Sequence, residues 1–301
     1  MATATTRPPV RARTNKLLRP PPVPLRAGLW LASHALRVLG KVRYGFADAL
    51  GMAIYACSPG GRRRCTANHR RLNPSLDAAA ARRLARRSYR QFMRTSFDFA
   101  WEYAMPPRAM DKHFRAYGLE HVRAATEASG GGIFALAHYG SWDVAAACAL
   151  ACDIPLVTVM RAIGTDLVTR IALWARRHQD MEVLITGSAA RGLVKAVRRG
   201  RFAALLCDIP ERGATVDVEF CGGIVKFSTA SVWLARTTGV PIMCVDCWRE
   251  NGLYHMVIHE QIHVGAGDSD ADVMQRVAAT LERAVRHEPG QWYPFNDVYT
   301  D

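Results

Sequence analysis

The pattern of apolar and polar positions changes character twice along the chain. The opening stretch, MATATTRPPVRARTNKLLRPPPVP (1–24), is rich in Pro, Thr and Arg and reads as a disordered basic tail. From Leu25 the chain is mostly apolar, punctuated by Arg26, His34, Arg37, Lys41, Arg43 and Asp48. A membrane-spanning helix wants about 20 nearly uncharged residues, and no window here offers them. Residues 25–58 therefore read as one apolar helix, lying in a membrane interface or packed in a core; the basic and aromatic flanks favour the interface. Over 59–112 the texture is helical. Leu84, Tyr89, Phe92, Met93, Phe97 and Trp101 recur at helical spacing with arginines opposite them, and Pro106-Pro107 ends the pattern.

Residues 113–301 alternate between strands and helices. GGIFALA (131–137), IPLVTVM (154–160), MEVLI (181–185) and RFAALLCDI (201–209) read as buried strands, the first three each followed by a helical segment. TVDVEF and GGIVKF predict a short antiparallel pair. STASVWLARTTG predicts a helix, VPIMCVDCW and LYHMVIHEQIHV two long strands, and ADVMQRVAATLERAVRHEP a closing helix. The expected fold class is α/β: a mixed, partly parallel central sheet flanked by helices, preceded by an N-terminal helical region. Residues 59–301 form one domain in this reading, helical over 59–112 and α/β over 113–301.

Composition narrows the picture. Half of the residues are hydrophobic, which excludes a disordered chain. The formal charge of +14 calls for an anionic partner: nucleic acid, an acidic lipid surface or a phosphorylated substrate. Of the 40 basic residues 35 are arginine, which suits phosphate recognition but also follows from a GC-rich genome, so charge alone does not choose the partner. No nucleic-acid-binding motif and no aromatic-basic interleaving is present, and such a partner leaves the apolar N-terminal segment unexplained. The eight cysteines lie mostly in apolar runs, as core residues of a reducing compartment do. Cys244 and Cys247 have CxxC spacing, but on a strand their sulfurs point to opposite faces, and no second pair completes a metal site.

Ligands of open α/β sheets gather where strands end at their carboxyl side. His138 follows the first strand and Asp208 the fourth. In HYGSWD, a Gly140-Ser141 turn with Ser141 as N-cap would put Asp143 in the first turn of a helix, from where it could hydrogen-bond one imidazole nitrogen of His138. The other nitrogen would then serve as a general base. Equally, His138 could be a structural histidine and Asp143 an ordinary helix-start residue. No GxSxG elbow, GxGxxG or P-loop surrounds these positions.

HYGSWD resembles the His-x4-Asp motif of glycerolipid and glycolipid acyltransferases, and within them the branch of lipid A lauroyl/myristoyl and phosphatidylinositol mannoside acyltransferases. The resemblance runs from about Arg62 to Val245. It includes NHRRLNPSLDAAAARRLARRSYRQFMRTSFDFAWE, VTVMRAIGTDLVTRIALWARRHQDMEVL and CDIPERGATVDVEFCGGIVKFSTASVWLARTTGVPIMCV, and the terminal QWYPF echoes a family ending. The chain departs from the family pattern at Phe227-Ser228, where a Gly-Pro is common, and at Ile209-Pro210, where Arg or Gln commonly follows the Asp. The resemblance implies an O-acyltransferase with His138 as base and Asp143 as its orienting carboxylate. Arg176, Asp208, Arg212 and Gly213 are the implied substrate-binding residues. It implies an acyl-CoA or acyl carrier protein donor, a membrane glycolipid or lysophospholipid acceptor, and an anionic membrane surface as partner. No metal or cofactor and no nucleic acid is expected. The expected location is the cytoplasmic face of the inner (plasma) membrane, held peripherally or monotopically. Oxyanion donors would come from backbone N–H groups near Gly140 or from an arginine. Acylation of a soluble metabolite, a catalytically silent membrane scaffold and a basic nucleic-acid-binding protein are the rival readings.

Overall fold

Seven strands form one sheet in the order β1-β9-β8-β2-β5-β3-β4. The computed structural model describes residues 17–102, 107–162, 165–178, 180–186, 189–210 and 213–300. The strands are β1 (Phe114–Tyr117), β2 (Ile133–Leu136), β3 (Leu156–Met160), β4 (Glu182–Ile185), β5 (Phe202–Leu206), β8 (Ile242–Glu250) and β9 (Leu253–Ile262). Every neighbouring pair is parallel except β8 with β9. β6 (Thr215–Phe220) and β7 (Gly223–Ser228) make a separate antiparallel hairpin. β2, β5 and β8, at the centre, carry the longest apolar runs because both of their faces are covered.

Ten helices are described. Four precede the sheet: α1 (Val23–Leu39), α2 (Arg43–Cys57), α3 (Pro59–Leu72) and α4 (Ala78–Glu102). α5 (Leu119–Ser129), α6 (Trp142–Ala151) and α7 (Asp166–His178) cover one face. α8 (Ala189–Val197), α9 (Ala230–Thr238), α10 (Asp270–His287) and the β6–β7 hairpin cover the other. Cys244 packs in the second of these layers and Cys247 in the first, the opposite-face arrangement expected of a CxxC on a strand.

Two elements differ from the sequence reading. The apolar segment expected as one helix over 25–58 is two, because Gly40 ends α1 with a positive φ of 53° and a short 3-10 turn over Gly40–Val42 redirects the chain. β1 and α5 lack a pattern signal: β1 has four residues, only Phe114 of them buried. Most of the expected basic tail lies outside the described residues, and Leu17, at its visible end, is buried in the core.

The N-terminal helices are held tightly. At Gly51 of α2 a Cβ would sit 2.7 Å from the Tyr89 carbonyl oxygen of α4, so only glycine permits this approach. Nearby, Asp98 of α4 is buried among Arg43, Tyr44 and Tyr254. Arg43 Nη2 donates to its Oδ1 at 2.9 Å, Tyr44 Oη at 2.8 Å, and Tyr254 Oη to Oδ2. Burial and the Asp98 charge push both phenol pKa values up, so both stay protonated donors.

Candidate active site

β2 and β5 are hydrogen-bonded neighbours, with Leu136 opposite Leu206, so the residues that leave their carboxyl ends emerge side by side. Beyond β2, Gly140 turns the chain with a φ of +58°, and a Cβ there would lie 1.9 Å from the Cys247 carbonyl oxygen. Glycine is required at that point, and His138 is left partly exposed at the carboxyl edge of the sheet. The turn is pinned from several sides: Gly140 N–H donates to Gln291 O at 2.8 Å, Ser141 N–H to Cys247 O at 2.8 Å, and Tyr293 Oη to Gly140 O at 2.9 Å. The terminal QWYPF segment is thus a brace beneath HYGSWD. Gln291 also bridges to β8, accepting from Arg249 N–H at 3.0 Å and donating to Arg249 O at 2.9 Å.

The imidazole is backed by Asp208, not by Asp143. His138 Nδ1 lies 2.8 Å from Asp208 Oδ1, and the His138 backbone N–H donates to Asp208 Oδ2 at 2.9 Å. The carboxylate is buried, and with both oxygens engaged it has one orientation. An ionised carboxylate only accepts, so Nδ1 carries the proton and Nε2 is left as the basic nitrogen. Burial depresses the His138 pKa. The Asp208 charge, its hydrogen bond and the Asp143 charge outweigh burial, and the net shift is upward from 6.5. Trp142 packs edge-on to the imidazole with centroids 5.1 Å apart.

Asp143 occupies the first turn of α6, as expected, but its partner is Arg176 of α7. Arg176 Nη2 and Nε donate to Asp143 Oδ1 at 2.6 and 3.0 Å. The same guanidinium reaches Met160 Sδ at 3.0 Å and stacks over Phe99 at 5.1 Å. The sequence reading kept these two residues in separate roles, and the fold joins them. Asp143 acts on His138 through its charge alone. Ser141 stands at the N-cap position of α6 but makes no capping bond, and its buried hydroxyl has no partner among the described residues.

The backbone N–H groups of Gly140 and Ser141 are consumed by Gln291 and Cys247, which removes them as oxyanion donors. The first amides of α6, at Trp142 and Asp143, have no partner outside the helix among the described residues. Gly213 lies beyond β5 with φ of +102°, a backbone conformation that glycine adopts without strain. Arg212 lies outside the described residues. Leu206 and Ile209 from the end of β5, and Leu167 and Val168 at the start of α7, are exposed apolar residues along the carboxyl edge of the sheet.

An α/β sheet with a carboxylate-backed histidine at its carboxyl edge defines the class of protein. The chain belongs to the bacterial lipid A biosynthesis acyltransferase family, whose model matches residues 22–298. It is similar to the phosphatidylinositol mannoside acyltransferase of Mycolicibacterium smegmatis, with 25% identity over 210 residues, 68% of each chain. It is also similar to the enzyme of that name from Mycobacterium tuberculosis, with 24% identity over 180 residues, 58% of this chain and 57% of that one. Family membership makes the chain a lipid acyltransferase.

Proposed function

We propose that this protein transfers a fatty acyl chain from a thioester, acyl-CoA or acyl-carrier protein, to a hydroxyl of a membrane glycolipid or lysophospholipid. The observation that carries the reading is the His138–Asp208 pair, with Asp143 charge nearby, at the edge where an acceptor can enter. His138 Nε2 takes the acceptor hydroxyl proton as the oxygen bonds to the thioester carbonyl carbon. The tetrahedral oxyanion then collapses, the C–S bond breaks, and the departing thiolate receives the proton from the imidazolium. Asp208 holds the tautomer and stabilises the imidazolium. Asp143, fixed by Arg176, adds a second negative charge. The Trp142 and Asp143 amides at the positive end of α6 supply the oxyanion donors. No acyl-enzyme forms. The test is incubation of detergent-purified protein with host lipid extract and mixed acyl-CoA or acyl-carrier protein, read by mass spectrometry. A lipid heavier by one acyl chain is expected; no such product with either donor would leave the scaffold reading in its place.

The N-terminal helices suit the acceptor's location. No helix among the described residues is long and apolar enough to cross a membrane. Yet Trp30, Leu31 and Val38 of α1, Val42 in the turn, and Phe46, Leu50 and Ile54 of α2 are exposed apolar side chains, the last four at four-residue spacing. Arg37 and Lys41 are exposed beside them. An apolar stripe rimmed by cations is the profile of a helix pair lying in an anionic bilayer surface, where each cation near the surface adds about 1 kcal/mol. Phe46 is 60% exposed, so its replacement leaves the core alone. Phe46→Glu with Leu50→Glu is expected to weaken binding to anionic vesicles by about 10²-fold or more in a flotation assay, since burying each side chain contributes about 1.5–3 kcal/mol. Unchanged flotation would remove this face from the reading.

A further inference from the structure

Away from the carboxylate-backed histidine, α8 and α9 lie side by side on the opposite sheet face from α6 and α7. Between them is a groove of about 460 Å³ lined by Arg191, Val194, Lys195, Arg198, Arg199 and Trp233. Arg191 and Lys195 stand one turn apart on α8 and repel one another at i,i+4 spacing, and Arg198 and Arg199 follow in the turn just past its end. Arg199 is neutralised by Glu182 at 3.0 Å, and Arg198 Nη2 donates to the Thr237 carbonyl at 3.4 Å. Arg191 and Lys195 make no ion pair or hydrogen bond among the described residues. Trp233 presents an indole that is 42% exposed, a cost in water that nothing in the fold of α9 requires. Helices that follow parallel strands run back from the carboxyl edge. The Arg191 end of α8 and the Ala230 end of α9 therefore sit at the edge that carries His138, and Arg198 and Arg199 sit at the far one.

We infer that this groove binds the 3′-phosphoadenosine diphosphate end of coenzyme A, with adenine on Trp233 and phosphates on Arg191 and Lys195. The inference rests on the acyl-transfer reading and goes further by choosing the donor. Both thioester donors carry the same pantetheine arm and differ at its far end, a nucleotide in one case and a folded acidic protein in the other. The groove has the volume of a small-molecule site, with one flat aromatic wall and unneutralised cations inside the concavity, which matches a nucleotide. Indoles stack on any base, and arginine and lysine are the usual phosphate contacts. From the upper mouth of the groove the pantetheine arm would cross the carboxyl edge towards His138.

The test uses the full chain and two readouts. By calorimetry, CoA and adenosine 3′,5′-bisphosphate are titrated into wild type, Trp233→Ala, the pair Arg191→Glu/Lys195→Glu, and a control pair Arg82→Glu/Arg83→Glu that makes the same charge change on an exposed face of α4. The bisphosphate is expected to compete with CoA, and each groove variant to weaken both ligands by about tenfold or more, with the control unchanged. In the transfer assay the groove variants should raise KM for acyl-CoA by a similar factor, with kcat unchanged and an acyl-pantetheine donor used as well as by wild type. Groove variants that bind CoA like wild type, or a control pair that weakens it equally, would overturn the site. So would groove variants that lose acyl-carrier protein but keep CoA, since the groove would then dock an acidic protein. Bisphosphate binding at the groove without any acyl product would leave the site standing and sink the acyl-transfer reading. Product formation that is indifferent to the groove variants would sink the site alone.

Discussion

Replacing His138 by Ala is expected to lower acyl transfer by about 10²–10⁴-fold without loss of the fold, because the proposed base is removed and the side chain is partly exposed at the carboxyl edge of the sheet. Asp208→Asn should come close to the same loss for a different reason. Its amide would offer an N–H where Nδ1 now donates, so the imidazole would switch tautomer and present a proton, not a lone pair, to the acceptor. Asp143→Asn leaves the tautomer alone and should cost far less. The pH profile separates the three. Burial lowers the His138 pKa, and the two carboxylates more than offset it, so activity should rise with pH through a midpoint above 6.5 as the imidazole loses its proton. Removing the Asp143 charge leaves the burial effect less opposed, and the midpoint should move to lower pH. A profile that is flat through this range, or an Asp208→Asn variant with the wild-type rate, would refute the His138 base.

These expectations depend on which carboxylate faces the imidazole, and the sequence was only half legible on that point. The period-2 and apolar runs disclosed every central strand, because β2, β5 and β8 are buried on both faces and their boundaries fall at Gly, Pro and Asp. They also put His138 and Asp208 at strand ends. Spacing then favoured Asp143, five residues away, over Asp208, seventy away. The deciding fact is that β5 lies next to β2 although two strands intervene in the chain, and strand order leaves no trace in local pattern. The same gap hid the Arg176–Asp143 pair, in which two residues separately chosen for chemistry turn out to hold each other. β1 was missed because four residues with one buried position carry no period. The helix break at Gly40 was readable in principle, as a glycine between two apolar turns, but an apolar run without charge alternation conceals where it bends.

Asp98→Ala is expected to cost about 3–5 kcal/mol of stability, a fall in Tm of roughly 5–8 °C for a chain of this size. Asp98 accepts from Arg43, Tyr44 and Tyr254, and truncation would strand a buried guanidinium with two phenols. The large term is the uncompensated charge, not the lost ion pair. The double variant Asp98→Ala/Arg43→Met should therefore recover most of the loss, since an apolar side chain in place of a buried ion is near neutral. Arg43 opens α2, Asp98 belongs to α4, and Tyr254 lies on β9, so the cluster fastens the exposed apolar helices to the sheet at β9. α4 also carries Phe99, on which Arg176 stacks, and Thr95, whose hydroxyl lies 3.2 Å from that of Tyr293 below Gly140. Losing the cluster should therefore loosen the layer of N-terminal helices first. Vesicle flotation should fall at temperatures where the far-ultraviolet circular dichroism of the sheet is still native. If flotation and sheet signal fell together, the N-terminal helices would be part of one cooperative core. If the double variant melted no higher than Asp98→Ala, the cluster would stabilise through its hydrogen bonds to tyrosine rather than through charge.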